Sequence, residues 1–399
     1  MSYYLIPRTN ISSFMNIDYI DDMEQPDITI SYSHNKYIYE LKERISLIEK
    51  DWDIYKKYTN PYEYIHTIIP LKNYCIAAYN PLSRSYFKMT EIVNAFRLHD
   101  IENNIRSFHL AEGPGGFIEA LCNIRKNPQD VYYGMTIASD INDPNVPGWK
   151  KTKSFLQHNK NVNLESGSDN SGDILNIDNF VYVCEKYGSS MDIVTGDGGF
   201  DFSNDFNKQE LSVSKLLFAQ VAFALCLQKK GGSFVLKIFD CFMQHTIDIL
   251  YILSSFYEKV YIMKPHTSRY ANSEKYVICK GFYHNSNRRF FGILHRAFEK
   301  MLRPVSNSPL YTHRLLSKNI PYYFYSKIEE YNAIFGQQQI ENIHYTLLLI
   351  DNRHRQEKIE YLVKNNIEKC KKWCTKHGVP VTPTEKKNET KISSKNTVM

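Results

Sequence analysis

Four ionisable side chains, Lys88, Asp197, Lys237 and Glu274, are the residues from which chemistry is most readily drawn. Lys237 lies inside the apolar run S-F-V-L-K-I-F, where an ammonium group without a partner is costly. The alternative, less favoured, is a lysine that snorkels to the surface at the strand end. Asp197 follows the apolar run M-D-I-V-T and sits in G-D-G-G-F-D, and Glu274 closes the polar loop K-P-H-T-S-R-Y-A-N-S-E. Lys88 stands one residue before a helical apolar stripe, Met89, Ile92, Val93 and Phe96, and by itself reads as a solvated helix lysine. Two lysines and two carboxylates converging on one cleft would shift each other's pKa values.

A second feature is the stretch Ser107–Phe117, S-F-H-L-A-E-G-P-G-G-F. A short apolar run, a glycine-rich turn and a new apolar segment predict a buried strand, a tight turn and a helix from about Gly116. Glycine there reaches φ > 0 without strain and lets a ligand approach the backbone. A tight turn with no ligand has the same pattern. Glu112 beside the turn repels phosphate, which argues against a P-loop or a pyrophosphate site and suits a ligand carrying positive charge or hydroxyls.

Alternating segments predict the elements that must hold these residues. Strands are expected at 107–111, 131–137, 161–164, 191–195, 233–239, 259–263 and 275–282. Helices are expected at 81–98, from 116, at 208–228 and at 247–257, with Gly231 and Gly232 stopping the third of these. This is the signature of a doubly wound α/β sheet, with the polar loops at the carboxyl ends of its strands, where such folds bind ligands. Around this core, Ile28–Tyr32 alternates like an edge strand and Tyr39–Tyr55 reads as one helix. Residues 351–377 read as a charged helix, and disorder is expected beyond Pro380. The expected division is an extension over 1–80, a catalytic domain over 81–285, a helical extension over 286–379 and a basic tail over 380–399.

At 399 residues, 43% hydrophobic and 23% charged, the composition is globular. No run of about 18 apolar residues predicts a membrane span, and the N-terminus lacks the pattern of a secretory signal. Eight cysteines are scattered without a C-x-x-C pair, which points to a reducing, cytoplasmic setting. Cys370, Cys374 and His377 offer three zinc ligands, but no fourth is evident nearby. Residues 351–399 hold twelve Lys or Arg against six Asp or Glu, so they carry the whole net charge of +6. A basic tail suits nucleic acid, and equally a solvated helix.

In order, R-S-Y-F-K-M-T-E-I around Lys88, A-E-G-P-G-G-F, D-I-V-T-G-D-G-G-F-D around Asp197, L-K-I-F-D around Lys237 and S-R-Y-A-N-S-E-K-Y around Glu274 resemble the FtsJ-like RNA 2′-O-methyltransferases. The closest likeness is to the cap-specific branch of eukaryotes and large DNA viruses, and it covers roughly residues 81–283. The resemblance implies a Rossmann-like sheet of seven strands, the last antiparallel, and a catalytic tetrad Lys88, Asp197, Lys237, Glu274. It implies S-adenosyl-L-methionine as cofactor, carrying both positive charge and hydroxyls, with contacts from Glu112, Gly113, Gly115, Gly116, Phe117 and Asp197. Asp173 matches the family's adenine contact less closely, and Asp140 is an uncertain match to the acidic residue after the second strand.

The implied reaction needs a base for a ribose 2′-hydroxyl. Lys237 would serve if its pKa, ordinarily roughly 10.4, moved toward 7–8. Asp197 would orient the amine and hydroxyl, and Glu274 a lysine or the ribose. No metal is required. The expected partners are capped mRNA, stacked on aromatics such as Trp149, Phe200, Phe202 or Tyr270, and other capping or transcription subunits, in a viral factory or virion. Ribosomal or transfer RNA, a non-catalytic RNA-binding scaffold on the same fold, and a small-molecule substrate are the competing readings.

Overall fold

The computed structural model describes residues 3–9, 13–138, 148–199, 206–303 and 309–383. Strands β1 (Tyr3–Leu5) and β2 (Ile17–Asp22) come first, followed by helices α1 (Tyr32–Ser46), α2 (Glu49–Thr59) and α3 (Ser85–Phe96). The central part alternates: β3 (Arg106–Leu110), α4 (Gly116–Arg125), β4 (Val131–Met135), α5 (Lys153–His158), β5 (Val162–Glu165), α6 (Ile177–Tyr187) and β6 (Met191–Gly196). It continues through α7 (Gln209–Ser212), α8 (Ser214–Leu227), β7 (Gln228–Ile238), α9 (Gln244–Phe256), β8 (Tyr257–Met263) and β9 (Lys275–Phe282). Then come α10 (Phe291–Leu302), β10 (Tyr311–Leu316), α11 (Tyr322–Asp351) and α12 (Gln356–Lys376). None of the described helices is long and apolar enough to cross a membrane.

The main sheet has the order β1-β8-β9-β7-β6-β3-β4-β5. Strands β7, β6, β3, β4 and β5 are parallel, and β9 is inserted antiparallel between β7 and β8. The seven expected strands are therefore present, with β1 added as an eighth on the edge of β8. Side chains alternate across the sheet with period two. Phe234, Leu236, Val277 and Cys279 enter the core beneath α6, α8, α9 and α10. Val235, Tyr276 and Ile278 enter the opposite core, beneath α3, α4 and α12. Lys237 shares its parity with Val235 and so faces the α3 side.

Three expectations are corrected. Ile28–Tyr32 is not a strand: Ile28 makes a single bridge to Met243, and α1 has begun by Tyr32. The helix expected over Tyr39–Tyr55 is two helices, broken at Leu47 and Ile48, because α1 and α2 each turn an apolar side toward α11. Gly231 and Gly232 do not stop a helix. Helix α8 ends at Leu227, and the glycines occupy a register shift within β7, whose Gln228 side chain donates to the carbonyls of Met191 and Asp192. Of the chain beyond Pro380, Val381 bridges Ala77 and the Thr382 amide donates to the Ile76 carbonyl, while residues 384–399 of the expected tail lie outside the described residues.

Segments on either side of residues 81–282 are fastened to the loop between β8 and β9. Glu63, fully buried in a 3-10 turn before α3, receives two bonds from Arg269 in that loop, at 2.5 and 2.9 Å. Burial pushes the Glu63 carboxyl up, but Arg269 outweighs it and holds the group down to about 2. The folded value lies below the unfolded one, so this contribution is complete above the ordinary carboxylate range and is lost as pH falls toward 2. Its size is about 3 kcal/mol. Glu63→Gln should lower the unfolding free energy by about that amount at pH 7, and the gap from wild type should close as the pH falls toward 2. Denaturant titrations at several pH values test this; a gap independent of pH would contradict it.

Candidate active site

The carboxyl ends of β3, β6 and β7 lie side by side, and the polar residues just past them share one cleft. The Asp197 amide donates to the Leu110 carbonyl at 3.3 Å, which places Asp197 at the tip of β3. Lys237 donates to the Asp197 carbonyl at 2.6 Å and lies 3.3 Å from its carboxylate Oδ1. Tyr276 stands directly opposite Lys237 in the β7–β9 ladder, so the two side chains leave the same face. Its hydroxyl donates to Asp197 Oδ1 at 3.1 Å.

Lys88 reaches the same cleft from α3. It is buried, and its ammonium lies 2.7 and 2.8 Å from the two oxygens of Glu274. Ser268 donates to Glu274 Oε1 at 2.8 Å. Burial favours a neutral Glu274, but Lys88 and then Lys237 outweigh it and hold the carboxyl well below the usual carboxylate range. Burial holds Lys88 below the ordinary lysine value, against the pull of Glu274. The structure thus brings all four expected residues into two adjoining pairs, Lys88–Glu274 and Asp197–Lys237.

Several residues that complete the site were not picked out from sequence. Glu91, one turn after Lys88, accepts from the His266 and Thr267 amides and from the Thr267 hydroxyl. Trp373 of α12 donates to the same carboxylate at 3.4 Å. Lys264 donates to the Asn272 and Glu274 carbonyls, spanning the loop that carries Glu274. Burial, followed by Lys275, pushes Lys264 down to about 7. The available signals were a glutamate at helical spacing from Lys88 and a lysine opening the Glu274 loop.

The glycine turn joins β3 to α4 as expected, but its chemistry is partly internal. Glu112 Oε1 accepts from the Phe117 and Ile118 amides, so it caps α4 itself. Its Oε2 is buried without a hydrogen-bond partner. His109 Nδ1 lies 3.4 Å from that oxygen, but burial pushes the imidazole down to about 3 and leaves it neutral, so this is no ion pair. Burial, helped by the negative charge of Asp197 and against the Phe117 amide, pushes the Glu112 carboxyl well above its ordinary value. Gly115 has φ +106, a genuine glycine position. A Cβ on Gly113 would lie 2.7 Å from the Gly148 carbonyl oxygen, and one on Gly116 would lie 2.2 Å from Ser85 Oγ. At these two positions the chain itself fills the space that glycine leaves. The Phe117 ring is fully buried in the core, which leaves only its backbone at the turn.

Asp173 lies in the loop after β5, where its Oδ1 accepts from the Leu175 amide at 2.8 Å. That loop packs on the end of β4, with the Ala138 amide donating to the Ser171 carbonyl. Of the aromatic candidates, Trp149 packs over Gly134 beside the glycine turn, and the Tyr270 hydroxyl pairs with His266. Phe200, Phe202 and Asp140 lie outside the described residues. Cys370 and Cys374 lie on the buried side of α12 in the apolar core, and no cluster of metal ligands exists among the described residues.

Residues 81–282, just over half of the chain, match the family model of the FtsJ-like methyltransferases. Three relatives illustrate the likeness. Cap-specific mRNA (nucleoside-2′-O-)-methyltransferase 2 of Pongo abelii is 29% identical over 72% of this chain and 38% of its own length. Cap-specific mRNA (nucleoside-2′-O-)-methyltransferase of Autographa californica nuclear polyhedrosis virus is 28% identical over 64% of this chain and 86% of its own. The inactive cap-specific mRNA (nucleoside-2′-O-)-methyltransferase 1B of Caenorhabditis briggsae is 24% identical over 59% of this chain and 30% of its own. The chain thus spans less than two fifths of the two animal relatives. It belongs to the FtsJ-like methyltransferase family.

The crowding at Gly113 makes a stability prediction. Gly113→Ala should lower Tm, at a cost of about 1–3 kcal/mol, because the backbone carbonyl of Gly148 must move. A Tm equal to wild type in a thermal melt would contradict this packing.

Proposed function

We propose that this FtsJ-like methyltransferase methylates the ribose 2′-hydroxyl of the first transcribed nucleotide of capped mRNA. The observation that carries the reading is the convergence of the Lys88–Glu274 and Asp197–Lys237 pairs beside the glycine turn. S-adenosyl-L-methionine supplies an activated methyl group on a sulfonium. The residues present fit that molecule: Glu112 Oε2 is a buried carboxyl oxygen with no hydrogen-bond partner beside the turn, open to a hydroxyl or amine of the ligand. Glu112, the backbone of Gly113, Gly115, Gly116 and Phe117, and the side chains of Asp173 and Asp197 would hold it.

Lys237 Nζ, in its neutral form, takes the proton from the 2′-hydroxyl. The Asp197 carbonyl and carboxylate fix the direction of that amine, and the Tyr276 hydroxyl fixes the carboxylate. The Lys88 ammonium stays on Glu274, which keeps its charge in place at the edge of the cleft. Together these groups align the hydroxyl for in-line attack.

The test pairs the protein with radiolabelled S-adenosylmethionine and one RNA in three forms: 7-methylguanosine-capped, capped without the methyl, and uncapped. Label should enter capped RNA only, map to the first ribose, and vanish in Lys237→Ala while S-adenosylhomocysteine still binds. Equal label in uncapped RNA would move the substrate to ribosomal or transfer RNA. No label in any RNA would favour the non-catalytic scaffold, the class to which the inactive relative's name points. Tyr276→Phe should lower kcat about 10-fold, as expected for one lost hydrogen bond, with cofactor affinity unchanged.

A further inference from the structure

Beside the tetrad stands a cation that the protein does not pair. Arg84 is the N-cap residue of α3, one turn before Lys88. Among the described residues its guanidinium has no hydrogen bond and no ion pair, although Glu274, Glu63 and Tyr276 are near enough for their charges to act on it. Both carboxylates are committed elsewhere, Glu274 to Lys88 and Glu63 to Arg269. Burial, and next the repulsion of Arg269, hold Arg84 below the ordinary guanidinium value. Its guanidinium is left without a partner among the described residues, close to the Lys88–Glu274 pair, in a group whose planar fork matches a phosphate or a carboxylate.

The chemistry of the acceptor says what that anion is. In RNA the 2′-hydroxyl and the 3′-phosphodiester sit on neighbouring ribose carbons. A ribose held with its 2′-oxygen at Lys237 must bring that phosphate to the rim of the tetrad. We infer that Arg84 binds the phosphodiester on the 3′ side of the acceptor ribose, an assignment that rests on the 2′-O-methyltransferase reading above. The competing anion is the carboxylate of S-adenosylmethionine, since the start of α3 abuts the glycine turn at Gly116. The phosphate is favoured because the charges that act most on Arg84 are those of Arg269, Glu274, Glu63 and Tyr276, which gather around the Lys88–Glu274 pair.

The experiment uses the full chain and a capped single-stranded RNA whose linkage 3′ to the first transcribed nucleotide is a phosphodiester or a neutral methylphosphonate. RNA affinity is read by fluorescence anisotropy, S-adenosylhomocysteine affinity by calorimetry, and folding by thermal melts. In Arg84→Gln the RNA Kd should rise about 10-fold, and the slope of log K against log salt should shrink by about 0.7. S-adenosylhomocysteine should bind as in wild type, and Arg84→Lys should recover part of the RNA affinity. The methylphosphonate should weaken wild type by the same factor and leave Arg84→Gln unaffected. Equal weakening of both proteins, an unchanged RNA Kd in Arg84→Gln, or a loss confined to S-adenosylhomocysteine would overturn the inference. Binding and turnover separate the two claims: a wild type that binds this RNA without methylating it contradicts the proposed reaction, while the coupling between Arg84 and the linkage still decides this one.

Discussion

A buried ammonium on a buried carboxylate, Lys88 on Glu274, is the constraint around which the site is built. Either charge alone in that position would be costly, so α3 and the loop that ends at Glu274 must arrive together. Much of the surrounding structure serves that meeting. Glu91 grips the start of the loop, Lys264 spans it, and Arg269 ties its middle to Glu63. The pair also fixes the charge pattern of the cleft, since it leaves Lys237 to Asp197 and Arg84 with neither.

This explains why the segments outside residues 81–282 matter to a site whose reactive groups all lie within them. Glu63 comes from before α3 and Trp373 from α12, yet both bear on the same loop. Helices α1 and α2 pack their apolar sides on α11, so the two ends of the chain brace each other as well as the sheet.

Much of the site was legible in the sequence because its residues sit in short local patterns. Apolar runs marked β3, β6, β7 and β9, and a polar residue inside or next to each run marked the cleft. The supporting residues were not legible, because their partners are remote. Glu63 and Arg269 are 206 positions apart, and no local pattern links them. Tyr276 looked like another aromatic in a strand until the β7–β9 register set it opposite Lys237. The glycines were misread in part for the same reason. Their types were visible, but the atoms crowding Gly113 and Gly116 come from Gly148 and Ser85, and Gly231 and Gly232 serve a strand irregularity that only pairing with β6 reveals. Strand β1, with three residues, is too short to announce itself.

The central claim is that Lys88 and Glu274 act as one unit in methyl transfer. The most direct measurement is a double-mutant cycle on kcat with Lys88→Met, Glu274→Gln and both together, at saturating cofactor and RNA. The account predicts strong non-additivity, with the double variant no slower than the slower single variant, because either change already breaks the pair. Losses that simply multiply would contradict it, and would mean that the two residues contribute independently.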